Sequence, residues 1–186
     1  MKNKSRKILF YAGAVILAAF YLCVLWWGQN PKVGLEYRMY YITHELSDWP
    51  GYGKLSYVPG TIEYCTKLKN RNGEEVSYRV CQRKGQGWKE EQYEGSKNSG
   101  QEAYVYYVLS EPLEHAEYVC EINEFTGTGM VTVYCNDKKA GTFQHSGVFT
   151  FDIGELNKEE LVTIRFEAQD CEFSLWSTMI TEMLPK

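Results

Sequence analysis

Two hydrophobic rhythms run along the chain. From Ile8 to Trp27 there is no charged residue, a twenty-residue apolar run, and at about 1.5 Å per helical residue it spans roughly the 30 Å of hydrocarbon in a bilayer. From Pro31 onward the apolar positions recur with a period of two, broken at short intervals by turn residues. That is the pattern of half-buried strands. Leu35, Tyr37, Met39 and Tyr41 alternate with Glu36, Arg38 and Tyr40, and Ile62, Tyr64, Thr66 and Leu68 alternate with Glu63, Cys65 and Lys67. The same alternation covers Val76, Tyr78 and Val80; Ala116, Tyr118, Cys120 and Ile122; Val131, Val133 and Cys135; Phe149, Phe151 and Ile153; and Val162, Ile164 and Phe166. Tyr104 to Leu109 is nearly continuous in apolar residues, which predicts a strand covered on both faces.

Turn chemistry falls between these runs, at Asn72-Gly73, Gly85 to Gly87, Ser96 to Gly100, Gly127 to Gly129, Asn136-Asp137 and Asn157-Lys158. No segment after the apolar run reads as a long helix. The expectation is an all-β domain, an antiparallel β-sandwich of about ten short strands, preceded by one N-terminal transmembrane helix. The boundaries that follow are a basic tail over 1–7, a span over 8–27, a short stalk over 28–34 and the sandwich over 35–186.

Charge orients the span. Lys2, Lys4, Arg6 and Lys7 precede it with no acidic residue among them, and Trp26 and Trp27 sit at its far end, where aromatic belts form. The positive flank is expected to stay cytoplasmic, so the chain after Gly28 is expected outside the plasma membrane. A cleaved signal peptide would want small residues before its cut site. Here Ala18 and Ala19 lead into Phe20, Tyr21 and Leu22, which favours an uncut anchor and also argues against acylation of Cys23.

The 186 residues are 44% hydrophobic and 24% charged, which excludes a disordered tail or a low-complexity array. A formal charge of −4 supplies no basic footprint, so no nucleic-acid partner is expected. With the four N-terminal cations set aside, 16 basic residues face 24 acidic ones, a net of −8 for the external part, which repels anionic surfaces on average. The only N-x-S/T sequon, Asn3 to Ser5, lies on the cytoplasmic side.

Five of the six cysteines lie beyond the span, an odd number. Cys65 and Cys81 form the pair most open to test, because an antiparallel hairpin with an odd loop centred on Gly73 would set them opposite each other; a strict two-residue Asn72-Gly73 turn would not. Cys120 and Cys135 fall on the apolar parity of their strands and read as buried thiols.

Catalytic patterns are scarce. His44, His115 and His145 are isolated, so no metal site and no cofactor are expected, and no G-x-S-x-G elbow occurs. Glu90, Glu91 and Glu94 near Trp88 could supply a glycosidase's carboxylates, but a solvated acidic face is the preferred account of them. Two aromatic groups in turn-rich segments, Trp88 with Tyr93 and Trp49 with Tyr52, are candidate sugar-stacking rings. Glu91 is a candidate acceptor for hydroxyl groups.

Gly87-Trp88 followed by Glu91, Gly95, a polar stretch to Gly100, then Ala103 and the apolar Tyr104 to Leu109 resembles a pattern found in extracytoplasmic galactose-binding-like sandwiches. These belong to bacterial membrane proteins that build or modify surface polysaccharides. Val131 to Gly141 is similar to the "V-x-V-x-x-N-G-K-x-x-G" hairpin of that fold, with Asp137 in place of a glycine. The resemblance covers roughly residues 80–170 and implies a jelly-roll, galactose-binding-like fold. Those proteins commonly carry many spans and a catalytic apparatus in the membrane, whereas this chain has one span. The function expected is therefore a membrane-anchored extracytoplasmic binding or accessory module without its own catalysis, recognising carbohydrate or envelope polymer or supporting a surface-polysaccharide enzyme. A protein-binding subunit of a membrane complex is the alternative, and a glycan hydrolase the second.

Overall fold

A computed structural model describes residues 2–29, 32–76, 80–89 and 95–183. The chain divides into two compact units, Met1–Gly34 and Leu35–Lys186.

The first unit is a single helix, α1 (Lys2–Gln29). Its stretch Phe10–Gln29 is twenty residues long with a mean hydropathy of 1.9, long and apolar enough to cross a membrane. Its large side chains, among them Phe10, Ile16, Phe20 and Trp27, are exposed, as expected of a helix that buries itself in lipid or is removed as a signal.

The second unit is a β-sandwich built on two unusually long strands, β7 (Leu113–Cys135) and β10 (Leu161–Glu182). Both run antiparallel through the two layers. In one layer the first half of β10 lies between β6 (Glu102–Leu109) and the second half of β7, with β8 (Lys138–Phe143) outside. In the other layer the second half of β10 pairs with the first half of β7, which β9 (Gly147–Leu156) flanks. Short segments complete the edges: β1 (Ser56–Tyr57) runs parallel to β6, while β2 (Glu63–Tyr64) and β5 (Ser96–Lys97) pair with β10. A separate hairpin joins β3 (Leu68–Lys69) to β4 (Glu75–Val76).

Apolar side chains of the two layers meet between them. Tyr118 of β7 rests on Phe166 of β10 with ring centres 6.1 Å apart, and Phe173 packs on Phe166 and Phe143 at 5.4 and 5.6 Å. The buried tyrosines are satisfied rather than merely enclosed. Tyr107 Oη and Tyr118 Oη both meet Thr178 Oγ1, at 2.8 and 2.7 Å. Burying a hydroxyl without such a partner would cost on the order of 1–3 kcal/mol.

Several sequence expectations hold. β6 is covered on both faces: Ala103, Val105, Tyr107 and Leu109 enter the sandwich core, while Tyr106, flanked by Tyr104 and Val108, enters a second cluster on the outer side. Asn136 and Asp137 take positive φ of 47° and 63° in the turn between β7 and β8. Gly73 likewise sits at a φ of 81° beyond β3.

Other expectations are corrected. Leu35 to Tyr41 is helical, a short turn α2 (Leu35–Tyr37) running into a wider π-turn over Arg38–Ile42. Its spaced apolar residues satisfy either period over so short a run, and burial of Met39 decides the outcome. The stretch from Ile62 to Leu68 breaks into two-residue strands and loses its alternation, Glu63 and Cys65 being buried beside Thr66 while Ile62 is exposed. Glu63 turns inward because Arg83 is buried against it. Of the strand expected over 76–80, Val76 ends β4 and residues 77–79 lie outside the described residues. Gly127 to Gly129 is no connecting turn but the bend of one continuous β7. A Cβ at Gly129 would lie 1.6 Å from the Gln169 carbonyl oxygen, so only glycine lets the two long strands approach there.

Candidate ligand-binding site

The segment from Leu35 to Leu55 lies over the outer face of β6. Met39, Leu46 and Leu55 are buried there on Tyr106, with Tyr40, Tyr104, Val108 and Leu161 around them. Backbone bonds fix the segment: Glu45 N–H donates to Met39 O at 2.7 Å, Gln86 N–H to Glu45 O at 3.0 Å, and Ser47 N–H to Lys84 O at 3.3 Å.

With Met39 turned inward, the neighbouring rings are turned out. Tyr37 and Tyr41, four residues apart on a helical turn, share a face, with ring centres 4.7 Å apart. Tyr41 touches Tyr40 at 4.8 Å and Trp49 at 5.5 Å, Tyr40 touches Trp49 at 5.8 Å, and Trp49 touches Tyr52 at 5.2 Å. Five rings thus form one connected cluster. Tyr52 is 74% exposed and Tyr41 51%, while Tyr37, Tyr40 and Trp49 are half-buried. Its inner members are held by packing, and its outer members present ring surface to solvent.

Trp49 also borders a cleft of about 210 Å³, lined by Ser47, Asp48, Trp49, Pro50, Val80, Cys81, Gln82 and Lys84. Ser47 Oγ reaches Asp48 Oδ2 at 3.3 Å and Lys84 O at 3.2 Å. Lys84 is itself buried and donates from Nζ to Ser96 Oγ at 3.0 Å. Ring faces beside a hydroxyl, a carboxylate and an amide suit a ligand with apolar faces and hydroxyl edges. That is the surface chemistry of a pyranose.

Of the residues predicted as a site, Trp49 and Tyr52 come together in this cluster. Trp88 does not join it. Its half-buried indole packs edge-to-face on Phe166 and Phe173, with ring centres at 5.8 and 5.7 Å, and donates from Nε1 to Tyr104 O at 2.8 Å. The ring is committed to sealing the sandwich. Glu91 and Tyr93, with Glu90 and Glu94, lie outside the described residues. Tyr37, Tyr40 and Tyr41 are members the sequence reading passed over, because it placed them on a strand; the Tyr37/Tyr41 spacing of four was the available sign.

Cys65 and Cys81 are buried neighbours with free thiols that hydrogen-bond each other. That bond, together with burial, holds the Cys65 thiol well above its usual range. They do not meet across the predicted hairpin, where Leu68 pairs with Val76 and Lys69 with Glu75; that register, extended, misses Cys81. Instead Tyr64 and Val80 form a parallel bridge, and Cys81 N–H donates to Tyr64 O at 2.8 Å. Among the described residues no group of three or more His, Cys, Asp or Glu side chains is arranged to hold a metal ion.

No protein-family model and no curated protein sequence matches the chain. Among solved structures it is similar to the CBM36-1 domain of a multidomain xylanase from the hindgut metagenome of Trinervitermes trinervoides, at TM-score 0.38 and 14% identity over 67% of this chain and 98% of that one. It is similar also to a family 35 carbohydrate binding module from an environmental isolate, at TM-score 0.33 and 12% identity over 68% and 96% of the two chains. A third likeness is to a β-glucosidase from Kluyveromyces marxianus, at TM-score 0.34 and 11% identity over 67% of this chain and 15% of that one. At these scores the likenesses assign no ligand to this chain.

Proposed function

We propose that the chain is a single-pass, membrane-anchored binding module, N-terminus inside and sandwich outside, whose Tyr41, Trp49 and Tyr52 platform recognises carbohydrate of the cell envelope. It would thereby serve as an accessory to a surface-polysaccharide enzyme, without catalysis of its own. The observation that carries this reading is the connected ring cluster with two rings more than half exposed beside a polar cleft. Apolar rings left in water at the surface of a folded domain mark a binding face, and the polar groups alongside suit a hydroxyl-rich ligand better than a flat protein partner. Retention of the detergent-solubilised full chain on envelope polysaccharide tests it. Wild type should be retained and Trp49→Ala should not.

A second reading is favoured by sequence order. The ring-bearing segment begins at Leu35, six residues past Gln29, the last residue of the apolar helix, and tyrosine and tryptophan are the side chains of membrane–water interfaces. In bilayers of brominated lipid, quenching of the Trp49 share of the fluorescence, taken as the difference from Trp49→Phe, supports that reading. An unquenched Trp49 removes it.

A further inference from the structure

Behind the cleft stands an unused piece of chemistry. Cys81 is one of its lining residues, and Cys65 lies next to Cys81 in the interior, the two being 2% and 0% exposed. We propose that Cys65 and Cys81 form a disulfide in the mature protein and that this bond ties the wall of the cleft to the sandwich.

Geometry supports the bond. Tyr64 and Val80 are partners in a parallel bridge, so the next residues along, Cys65 and Cys81, are adjacent on neighbouring strands. Such strands lie about 4.8 Å apart, inside the roughly 4.4–6.8 Å Cα separation that disulfides span. Laterally adjacent residues of parallel strands point to the same face, and both side chains enter one core cluster. Cys120 and Cys135 are also buried, but they stand opposite Thr178 and Phe149, and Ile164 and Lys138, on their neighbouring strands.

The tie would connect two different anchorages. Cys65 N–H donates to Trp176 O of β10 at 2.8 Å, and the carbonyl of Cys65 accepts from Ser96 Oγ at 2.7 Å. On the other side, Cys81 leads into Gln82 and Lys84, which line the cleft. The bond therefore fixes that wall to the central strand pair, whatever the cleft binds.

The chemistry is thiol–disulfide exchange. The two thiols give up two protons and two electrons, an S–S bond forms, and the disulfide of an extracytoplasmic thiol oxidase is reduced to two thiols. Both cysteines are enclosed, and burial and their mutual hydrogen bond disfavour the attacking thiolate. The exchange therefore belongs to folding, before the pair is covered. Once formed, the bond is shielded from reductant.

Wild-type full chain in detergent, produced by export through an oxidising compartment, provides the test. Free thiols are trapped with N-ethylmaleimide before digestion with trypsin without reductant. Lys67, Lys69 and Arg71 separate the two cysteines, so a disulfide leaves the peptide of residues 55–67 joined to that of residues 80–83, lighter by two hydrogens than the separate pair. A second measurement needs no mapping. The same bond should raise the thermal midpoint by roughly 6–12 °C over protein made and kept reduced, and Cys65→Ala/Cys81→Ala should abolish that difference. Alkylation of both cysteines in the exported protein, or linkage of either to Cys120, Cys135 or Cys171, overturns the proposal.

Discussion

Trp88 separates two accounts of this domain, one in which its ring binds a ligand and one in which it closes the core. Truncation in Trp88→Ala removes an indole that meets Phe166 and Phe173 edge-on and strips the Tyr104 carbonyl of the Nε1 donor 2.8 Å away. Replacing a large core aromatic by alanine costs about 3–5 kcal/mol. The ring here is half-buried, which lowers that figure, while loss of the hydrogen bond adds about 1 kcal/mol, the Tyr104 carbonyl keeping the Gly85 N–H at 2.8 Å. The expected loss is about 3–4 kcal/mol, or roughly 6–16 °C in thermal midpoint for a domain of this size. Trp88→Phe keeps most of the ring contact and loses the hydrogen bond, so its cost should be about 1 kcal/mol. Thermal unfolding of the full chain in detergent, followed by near-ultraviolet circular dichroism, reads both. A loss below about 1 kcal/mol for Trp88→Ala would mean that the indole supports little of the fold, and the packing account of Trp88 would fall.

Arg83→Met should cost about 3–5 kcal/mol, because it leaves the buried Glu63 carboxylate unpaired, and Glu63 Oε2 already has no partner among the described residues. The double variant Glu63→Leu/Arg83→Met should recover much of that loss, and equal unfolding midpoints for single and double variants would contradict the reading. In alkali the sign is fixed by groups whose protons the fold holds more tightly than the unfolded chain does. Burial pushes Cys135 up to about 11 and Tyr104 up to about 12, and raises Tyr107 and Tyr118 well above the usual range. Stability should therefore be full below about pH 9 and fall as pH rises beyond it, with tyrosinate absorbance appearing together with unfolding; free titration of every tyrosine in a folded domain would refute this. Chelators should leave the thermal midpoint unchanged, and a fall restored by one divalent metal would reveal a site. Protease added outside intact cells should digest the sandwich and spare the N-terminus, whereas full protection of the domain would reverse the expected orientation.

The strand segments and their turns were legible in the sequence wherever local chemistry and tertiary packing agreed. Tyr104 to Leu109 could be read as covered on both faces because no polar residue interrupts it, and Asn136-Asp137 because few other residues accept positive φ twice in succession. What escaped was set by distant partners. Local spacing leaves Leu35 to Tyr41 open to either period; the helical outcome follows from seating Met39 on the far side of β6. The inward turn of Glu63 depends on Arg83, twenty residues away. Glycines at 127 and 129 look like a turn in sequence and act as a bend, because their role is set by the Gln169 and Asp170 carbonyls pressed against them. The site followed the same logic. Trp49 and Tyr52 were legible as rings in a loop, but the three tyrosines that extend them were hidden by the strand reading. Cys65 and Cys81 are neighbours through a parallel bridge, where the sequence offered an antiparallel hairpin, because the segments that carry them pair through distant contacts and not through the Gly73 turn.

The central claim is that the exposed rings, and not the sealed one, bind envelope carbohydrate. Calorimetric titration of the full chain in detergent with solubilised envelope polysaccharide tests it most directly, comparing wild type with Trp49→Ala, Tyr52→Ala and Trp88→Phe. Binding should weaken about tenfold or more in the first two, a loss of at least about 1.4 kcal/mol, in domains that circular dichroism shows to be folded at the titration temperature. Trp88→Phe should bind as wild type does. Undiminished binding by folded Trp49→Ala and Tyr52→Ala, or no binding by wild type, would contradict the claim.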